Sequence, residues 1–185
     1  MAYTSGQCTV SLGRKEVCKE SVGGLQGVYF LNYFTGSATF DSNDLVTALG
    51  NGTGSAYYYE LKGNSSYTET VNSSRDNGTT FFSQELTLNL KKLTNEMTTQ
   101  LKLMAYGRPK VVVWTLNGEA LLLGNKEGCD VTAGTIQTGG ALGDLFGYSI
   151  TLTGLEKEPA AFLSGSTVNN PFANLTVQPT IVYGS

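Results

Sequence analysis

The amino-acid sequence predicts a mainly β protein that forms a single domain and carries one α-helix at about residues 94–106. Three observations lead to this class. Most segments alternate apolar and polar residues with a period of two, or are short apolar runs, and they are rich in Val, Tyr, Phe and Thr. Apolar residues recur at helical spacing in a stretch after residue 90. The length of 185 residues is ordinary for one domain with one core.

The first half of the chain contains four predicted strands. Residues 8–12 alternate between apolar and polar side chains. Residues 27–34 are rich in aromatic residues, and we expect this strand to be buried on both faces. Residues 57–61 and 67–71 follow as neighbouring strands joined by a turn at residues 63–64.

A polar segment lies between the second and third of these strands. Residues 35–56 are rich in Gly, Ser, Thr, Asn and Asp, and we predict a long loop with no core of its own. Within it, one short helix is expected to begin at Ser42 and to end before Gly50, with residues 41–44 as its cap. Loops of this length in compact domains are usually functional or disordered.

The clearest strand pattern covers residues 82–91 and leads directly into the helix. Alternate positions form a core face of Phe82, Gln84, Leu86, Leu88 and Leu90 and a polar face of Ser83, Glu85, Thr87, Asn89 and Lys91. The apolar spacing then changes to three and four residues, at Leu93, Met97, Leu101 and Met104. Thr94 or Asn95 is expected to cap the helix, and Gly107 with Pro109 to end it.

The last part of the chain contains further strands and an arm. Asn117 and Gly118 separate two apolar runs, which predicts a tight two-residue hairpin. Strands are also predicted at residues 129–138 and 147–155, and the second places Ser149, Thr151 and Thr153 on one polar face. Residues 164–185 contain two prolines and are predicted to form an extended arm with one edge strand.

Composition excludes several classes of function. The chain has no histidine, which removes Ser-His-Asp and Cys-His catalysis and ordinary zinc fingers. Charged residues are 15% of the chain and the net charge is −3, so no basic footprint for nucleic acid is present. Apolar runs are too short for a membrane helix, and the first residues do not resemble a secretory signal. Three unpaired cysteines, Cys8, Cys18 and Cys129, are interpreted as reduced structural thiols.

Carboxylate pairs are the remaining candidates for catalysis, because glycoside hydrolysis needs no histidine. The pairs are Glu60 with Glu69, and Glu156 with Glu158. We interpret them as ordinary strand and turn charges, since no apolar pocket is evident around them. The sequence therefore predicts no catalytic residues, no cofactor and no bound metal.

The order of motifs after residue 57 resembles that of the major tail proteins of tailed bacteriophages, in particular the tail tube proteins. The similar segments are YYYEL (57–61), NGTT (77–80), QELTLNLKKL (84–93), VVVW (111–114), the Asn117-Gly118 turn, Leu123-Gly124, GDLFGYSITLTGLE (143–156) and Pro159-Ala160. The resemblance covers about residues 57–163.

The resemblance implies a two-sheet β sandwich or barrel, a hexameric ring of identical copies, and stacked rings that conduct DNA in a virion tail assembled in the bacterial cytoplasm. Partners would be further copies, other tail proteins and DNA bound without sequence specificity. Residues that would face the lumen or the subunit seam are Ser83, Glu85, Thr87, Asn89, Ser149, Thr151 and Thr153. Contacts between rings would come from the 35–56 loop, with Asp41, Asp44, Asn51 and Thr53, and from the C-terminal arm.

Three alternatives stay open. Both polar strand faces can simply be solvated. The chain can be another virion part, such as a neck, baseplate or head-decoration protein. It can also be a carbohydrate-binding β sandwich, in which case Tyr57, Tyr58, Tyr59 or Trp114 would form an exposed aromatic patch. Trp114 lies within an apolar run, which favours burial.

Overall fold

The computed structural model describes residues 10, 12–15, 18–50 and 54–184. The described strands are β1 (Leu25–Leu31), β2 (Thr39–Phe40), β3 (Val46–Ala48), β4 (Ser55–Glu60), β5 (Ser66–Ser74), β6 (Thr79–Lys91), β7 (Lys110–Thr115), β8 (Ala120–Leu123), β9 (Asp130–Gln137), β10 (Gly147–Glu156), β11 (Ala161–Phe162) and β12 (Thr180–Tyr183). One helix, α1 (Asn95–Tyr106), lies between β6 and β7. The predicted mainly β class is confirmed. Most of the predicted strand at residues 8–12 lies outside the described residues.

The strands form two main sheets and one small one. A six-stranded sheet has the order β11-β8-β7-β1-β4-β12, and a four-stranded sheet has the order β5-β6-β10-β9. β2 and β3 pair with each other. The prediction that residues 57–61 and 67–71 lie on neighbouring strands is wrong, because β4 belongs to the six-stranded sheet and β5 to the four-stranded sheet. Residues 61–65 therefore carry the chain from one layer to the other.

The main core fills the space between the two large sheets. Leu86, Leu88, Ile150 and Leu152 project from the four-stranded sheet, and each is at most 1% exposed. They belong to one apolar cluster with the alternate residues of β1 and β7, including Val28, Phe30, Val111 and Val113. The alternation predicted for residues 82–91 and 147–155 is confirmed, with the apolar side chains inside.

A second core lies on the opposite face of the six-stranded sheet. It joins Tyr29, Leu31, Val112 and Trp114 of the sheet to residues from two flanking segments, 38–49 and 163–175. We call these segments the cover layer. Ser164 N–H donates to the Val46 carbonyl and Thr176 N–H to the Thr47 carbonyl, which ties the two segments together. β1 and β7 are thus buried on both faces, as predicted for the aromatic strand.

The cover layer corrects two predictions. No helix begins at Ser42, because the chain there makes the turn between β2 and β3. The 35–56 segment also has buried side chains, with Val46 0% and Leu49 2% exposed. The C-terminal arm also packs on the six-stranded sheet of the same chain, through Phe172 and Leu175. The edge strand predicted within this arm is present as β12, which pairs with β4.

Buried Lys110 anchors the start of the cover layer. Its ammonium group donates to the Gly36 carbonyl and lies 3.8 Å from the centroid of the Phe34 ring. Burial lowers the pKa of Lys110, while the charge of Glu156 acts in the opposite direction. The carbonyl and the ring face stabilise the cation where water does not reach it.

Helix α1 closes one side of the main core, as predicted. Thr94 Oγ1 accepts the Met97 N–H, which is an N-cap, and Gly107 follows the last residue. Met97, Leu101 and Met104 are partly buried against the main core. No described helix is long and apolar enough to cross a membrane.

The Tyr148→Phe variant is expected to lose about 1–2 kcal/mol of unfolding free energy, because the Tyr148 hydroxyl is the polar link between β10 and α1. This hydroxyl lies 2.7 Å from Thr98 Oγ1 and donates to the Thr94 carbonyl at 2.9 Å. Urea denaturation followed by circular dichroism measures the loss. Tyr57→Phe is the control, since Tyr57 is 37% exposed and its hydroxyl forms no hydrogen bond with any described residue. Equal loss in both variants would contradict the link.

The hairpin predicted at residues 117–118 is present between β7 and β8, but its loop has three residues instead of the two predicted. Thr115 N–H donates to the Glu119 carbonyl, and Gly118 N–H donates to the Thr115 carbonyl. Only Gly118 has a positive φ, of 89°. The three-residue loop ends in a glycine bulge, which is the next commonest hairpin type. The Asn117 side chain binds the backbone of Val22: its Oδ1 accepts the Val22 N–H, and its Nδ2 donates to the Val22 carbonyl.

Candidate assembly surface

The seven polar residues predicted on two separate strands lie together on one surface. β6 and β10 are neighbours, and their register places Asn89 opposite Ser149, Thr87 opposite Thr151, and Glu85 opposite Thr153. Residues directly opposite each other in an antiparallel pair project from the same face. We call the surface formed by Ser83, Glu85, Thr87, Asn89, Ser149, Thr151 and Thr153 the hydroxyl face.

The hydroxyl face is polar but carries little charge. Glu85 is the one charged residue among the seven. β5 extends the face with Ser66, Thr68 and Thr70, which lie opposite Thr87, Glu85 and Ser83. On the other side, the Thr132 hydroxyl lies 3.0 Å from the Thr153 hydroxyl. Short hydroxyl side chains therefore lie on all four strands of the sheet. The same face also carries Asp130 opposite Thr153, Lys91 opposite Gly147, and exposed Leu155 opposite Ser83.

Both edges of the four-stranded sheet are unpaired among the described residues. β5 has nine residues and forms one edge, and β9 has eight and forms the other. Neither strand contains lysine or proline, the residues that commonly protect an edge from pairing with another chain. Val71 on β5 is 59% exposed and Ile136 on β9 is 55% exposed. These edges cannot be predicted from the sequence pattern, because the alternation of apolar and polar residues does not encode strand order.

The residues predicted to make contacts between stacked rings lie apart from the hydroxyl face. Asp41 Oδ1 accepts the N–H groups of Asn43 and Leu45, and this arrangement forms the turn between β2 and β3. Asp44 follows in that turn with a φ of 61° and is exposed. The acidic residues therefore shape a hairpin tip instead of a helix cap. Asn51 and Thr53 lie outside the described residues.

The carboxylates considered for catalysis have structural partners. Glu60 is on the six-stranded sheet and lies 3.5 Å from Lys62, whereas Glu69 faces inward from β5. Glu69 accepts hydrogen bonds from the Gln84 side chain and the Ala160 N–H. Glu156 accepts the N–H groups of Lys126 and Glu127. The oxygens of Glu69 and Glu156 thus hold neighbouring backbone in place. These two residues and Glu158 line one pocket with apolar residues such as Leu121 and Phe162, so the expectation that no apolar pocket surrounds them is wrong.

Gln84 has a role that its position in an apolar pattern did not reveal. It is 1% exposed, and its Oε1 accepts the Gly124 N–H at 2.9 Å while its Nε2 donates to Glu69. Gly124 follows β8 of the six-stranded sheet. Gln84 therefore joins the two sheets through hydrogen bonds at one end of the sandwich.

The Tyr67→Phe variant is expected to be about 1 kcal/mol more stable than the unmodified chain, since the Tyr67 hydroxyl is buried without a hydrogen-bond partner among the described residues. Burial, then the charge of Glu69, and then a contact of the hydroxyl with this carboxylate raise the pKa of Tyr67 far above its ordinary value, and the contact lies outside normal hydrogen-bond geometry. Above about pH 10 the unfolded tyrosine loses its proton while the folded one keeps it, so stability falls as pH rises. Urea titrations between pH 8 and 11 should show a shallower fall in Tyr67→Phe. An unchanged slope would contradict this assignment.

The cysteines that are described are free. Cys18 is exposed and Cys129 is buried, and burial raises the pKa of the Cys129 thiol to about 12. A thiol that stays protonated is a poor nucleophile. Across the described residues, no cluster of three or more Cys, Asp or Glu side chains is arranged to hold a metal ion.

Comparison with known proteins gives no match to a family model, a curated protein or a solved structure.

Proposed function

We propose that this protein is a virion structural subunit that assembles with copies of itself into the tail tube of a bacteriophage. Copies would form hexameric rings, and stacked rings would enclose a channel for DNA. The observation that carries the proposal is the hydroxyl face on a sheet whose two edges are both unpaired among the described residues. The resemblance of residues 57–163 to tail tube proteins supports it independently.

Strand direction favours closure of the sheet between copies. β5, β6, β10 and β9 alternate in direction across the four-stranded sheet, since each neighbouring pair is antiparallel. β9 and β5 consequently run in opposite directions. When β9 of one copy is placed beside β5 of the next, the antiparallel pattern continues, and a head-to-tail ring of such contacts closes. Closure would also remove every edge of this sheet.

The chemistry of the hydroxyl face suits the wall of a DNA channel. A basic wall would bind the phosphate backbone and release its counterions, which holds DNA in place. The hydroxyl face offers Ser and Thr hydroxyls with Glu85 as its one charge among the seven residues. Such a surface stays hydrated and lets a polyanion pass. On this proposal the edges form the seam, and the hydroxyl face lines the lumen.

Contacts between stacked rings would come from the turn at Asp41 and Asp44. This turn joins β2 and β3 and projects from the cover layer rather than from the core. Both carboxylates lie at the turn, and Asp44 is exposed. Asn51 and Thr53 are also predicted from the sequence to contact the next ring. They lie outside the described residues and remain part of this proposal.

Negative-stain electron microscopy, together with the mass of the purified protein in solution, tests the proposed function. The expected result is rings or hollow tubes and a mass that is a multiple of the 19.7 kDa chain. The measurement is made over a range of protein concentrations, with purified tail components added as initiators in a second series. A monomer in both series would contradict the proposal.

A further inference from the structure

An aromatic cavity on the far side of the six-stranded sheet is separate from the hydroxyl face. It has a volume of about 340 Å³ and lies between the sheet and the C-terminal part of the cover layer. This volume is at the lower end of the ~300–1,000 Å³ range of small-molecule sites. Its described lining includes Tyr29, Tyr58, Tyr183, Asn169, Asn170 and Gln178. The main core separates the cavity from the four-stranded sheet.

The tyrosine rings of the cavity pack on one another and leave one ring accessible. The ring centroids of Tyr29 and Tyr58 are 4.9 Å apart, and those of Tyr58 and Tyr183 are 5.5 Å apart with the rings edge to face. Tyr29 is 2% exposed, whereas Tyr183 is 65% exposed at the open end. The cavity therefore has an aromatic floor and a solvent-accessible aromatic wall. Trp114 is 5% exposed beneath it and donates its indole N–H to the Thr167 carbonyl.

Polar groups around the rings have no protein partner in the part of the chain that is described. Among the described residues, the hydroxyls of Tyr29, Tyr58 and Tyr183 and the side chain of Asn169 form no hydrogen bond. Burial, and then the neighbouring Tyr58 and Tyr183, raise the pKa of Tyr29. Asn170 Oδ1 is occupied by the Phe172 N–H and Gln178 Nε2 by the Ala173 carbonyl. Each of these two amides keeps its other end available.

The cavity contains no charged side chain among its described lining residues. A phosphate, a carboxylate or an ammonium group would find no counter-ion there. A purely apolar ligand would leave the hydroxyls and amides unpaired, which costs free energy. A neutral ligand with several hydroxyls and one apolar face satisfies both conditions. A pyranose ring has this chemistry, since its C–H groups cover an aromatic ring while its hydroxyls donate and accept hydrogen bonds.

We infer that this cavity is a binding site for a neutral saccharide, with Tyr183 as the stacking residue and Asn169 as a hydrogen-bonding residue. The site is distinct from the proposed assembly surface. It belongs to a single copy of the chain, so it can be occupied in the free subunit as well as in an assembly. In the proposed tube, it would lie on the side of the sandwich that faces away from the lumen.

Titration of the isotope-labelled protein with neutral saccharides tests this inference. The probes are glucose, galactose, mannose, N-acetylglucosamine and their disaccharides, and the readout is saturable shifts of amide resonances around residues 169–183. Tyr183→Ala is expected to weaken binding about tenfold or more, because it removes the stacking surface. Tyr183→Phe keeps the ring and is expected to retain binding within about threefold. Tyr106→Ala is the matched control, since Tyr106 is 84% exposed on α1.

The inference is overturned if no saccharide produces saturable shifts, or if Tyr183→Ala binds as tightly as the unmodified chain. A proline-rich peptide, which also favours aromatic grooves, is titrated in parallel. Binding of the peptide with no response to any saccharide would also overturn it. These outcomes are independent of ring or tube formation, so a failure here leaves the proposed assembly function untouched.

Discussion

The Ile136→Lys and Val71→Lys variants are expected to remain folded and to form neither rings nor tubes. Both residues lie on edge strands, Ile136 on β9 and Val71 on β5. Register places Ile136 opposite Tyr148 and Val71 opposite Phe82, so each side chain projects from the face of the sheet that carries the core. An inward-pointing lysine on an edge must lose its hydration when another strand pairs there, which is how natural sheets avoid association.

Leu103→Lys is the control for this experiment. Leu103 is 61% exposed on α1, so the same change in charge and hydropathy occurs outside both edge strands. Each of the three variants changes an exposed side chain and is expected to alter unfolding free energy by less than about 0.5 kcal/mol. Solution mass and electron microscopy then separate folding from assembly. Tubes formed by both edge variants would refute pairing between β5 and β9.

The Gly147→Ala variant is expected to lose at least about 3 kcal/mol of unfolding free energy and to yield little folded protein. Gly147 begins β10, and a Cβ at this position would lie 2.1 Å from the Leu90 carbonyl oxygen and 3.0 Å from Lys91 Cα. Both contacts are to backbone of β6, which cannot move aside without breaking the central strand pair. β6 and β10 carry the hydroxyl face and half of the main core, so the damage is not local.

Gly134→Ala provides the matched control within the same sheet. A Cβ at Gly134 on β9 would meet only the Ser149 carbonyl oxygen, at 3.8 Å. Alanine there reduces the freedom of the unfolded chain and is expected to be neutral or to stabilise by about 0.5 kcal/mol. Thermal and urea unfolding of the two variants measure the contrast. Similar stabilities would show that β6 and β10 do not approach as closely as described.

Local patterns were sufficient for several elements. The alternation in residues 82–91 correctly divided β6 into core and polar faces, because a strand places successive side chains on opposite sides. Thr94, Met97 and Gly107 were correctly placed at the cap, apolar stripe and end of α1. The turn after β7 was predicted at the right residues but with too short a loop, since the Asn117 amide is bound to Val22.

Contacts between residues that are distant in the sequence could not be predicted from these local patterns. The sequence pattern places Glu60 and Glu69 on neighbouring strands because two short strands follow each other, yet the intervening residues cross between sheets. The pattern predicts no core for the 35–56 segment because Val46 and Leu49 are isolated in a polar background. Their burial depends on partners more than 100 residues away, such as Leu163 and Phe172, and no local pattern records such contacts.

The sequence by itself determined which side chains share a face of each strand, where the helix begins and ends, and that catalysis by histidine is absent. These properties follow from backbone periodicity and composition, which are local. Only the tertiary structure decided that β6 and β10 are neighbours in a register that merges two polar faces into the hydroxyl face. It also decided that, within the described part of the chain, β5 and β9 lie at unpaired edges and three tyrosines meet at one cavity. Strand order and register depend on how distant segments bury their apolar faces together, and that is a property of the whole chain.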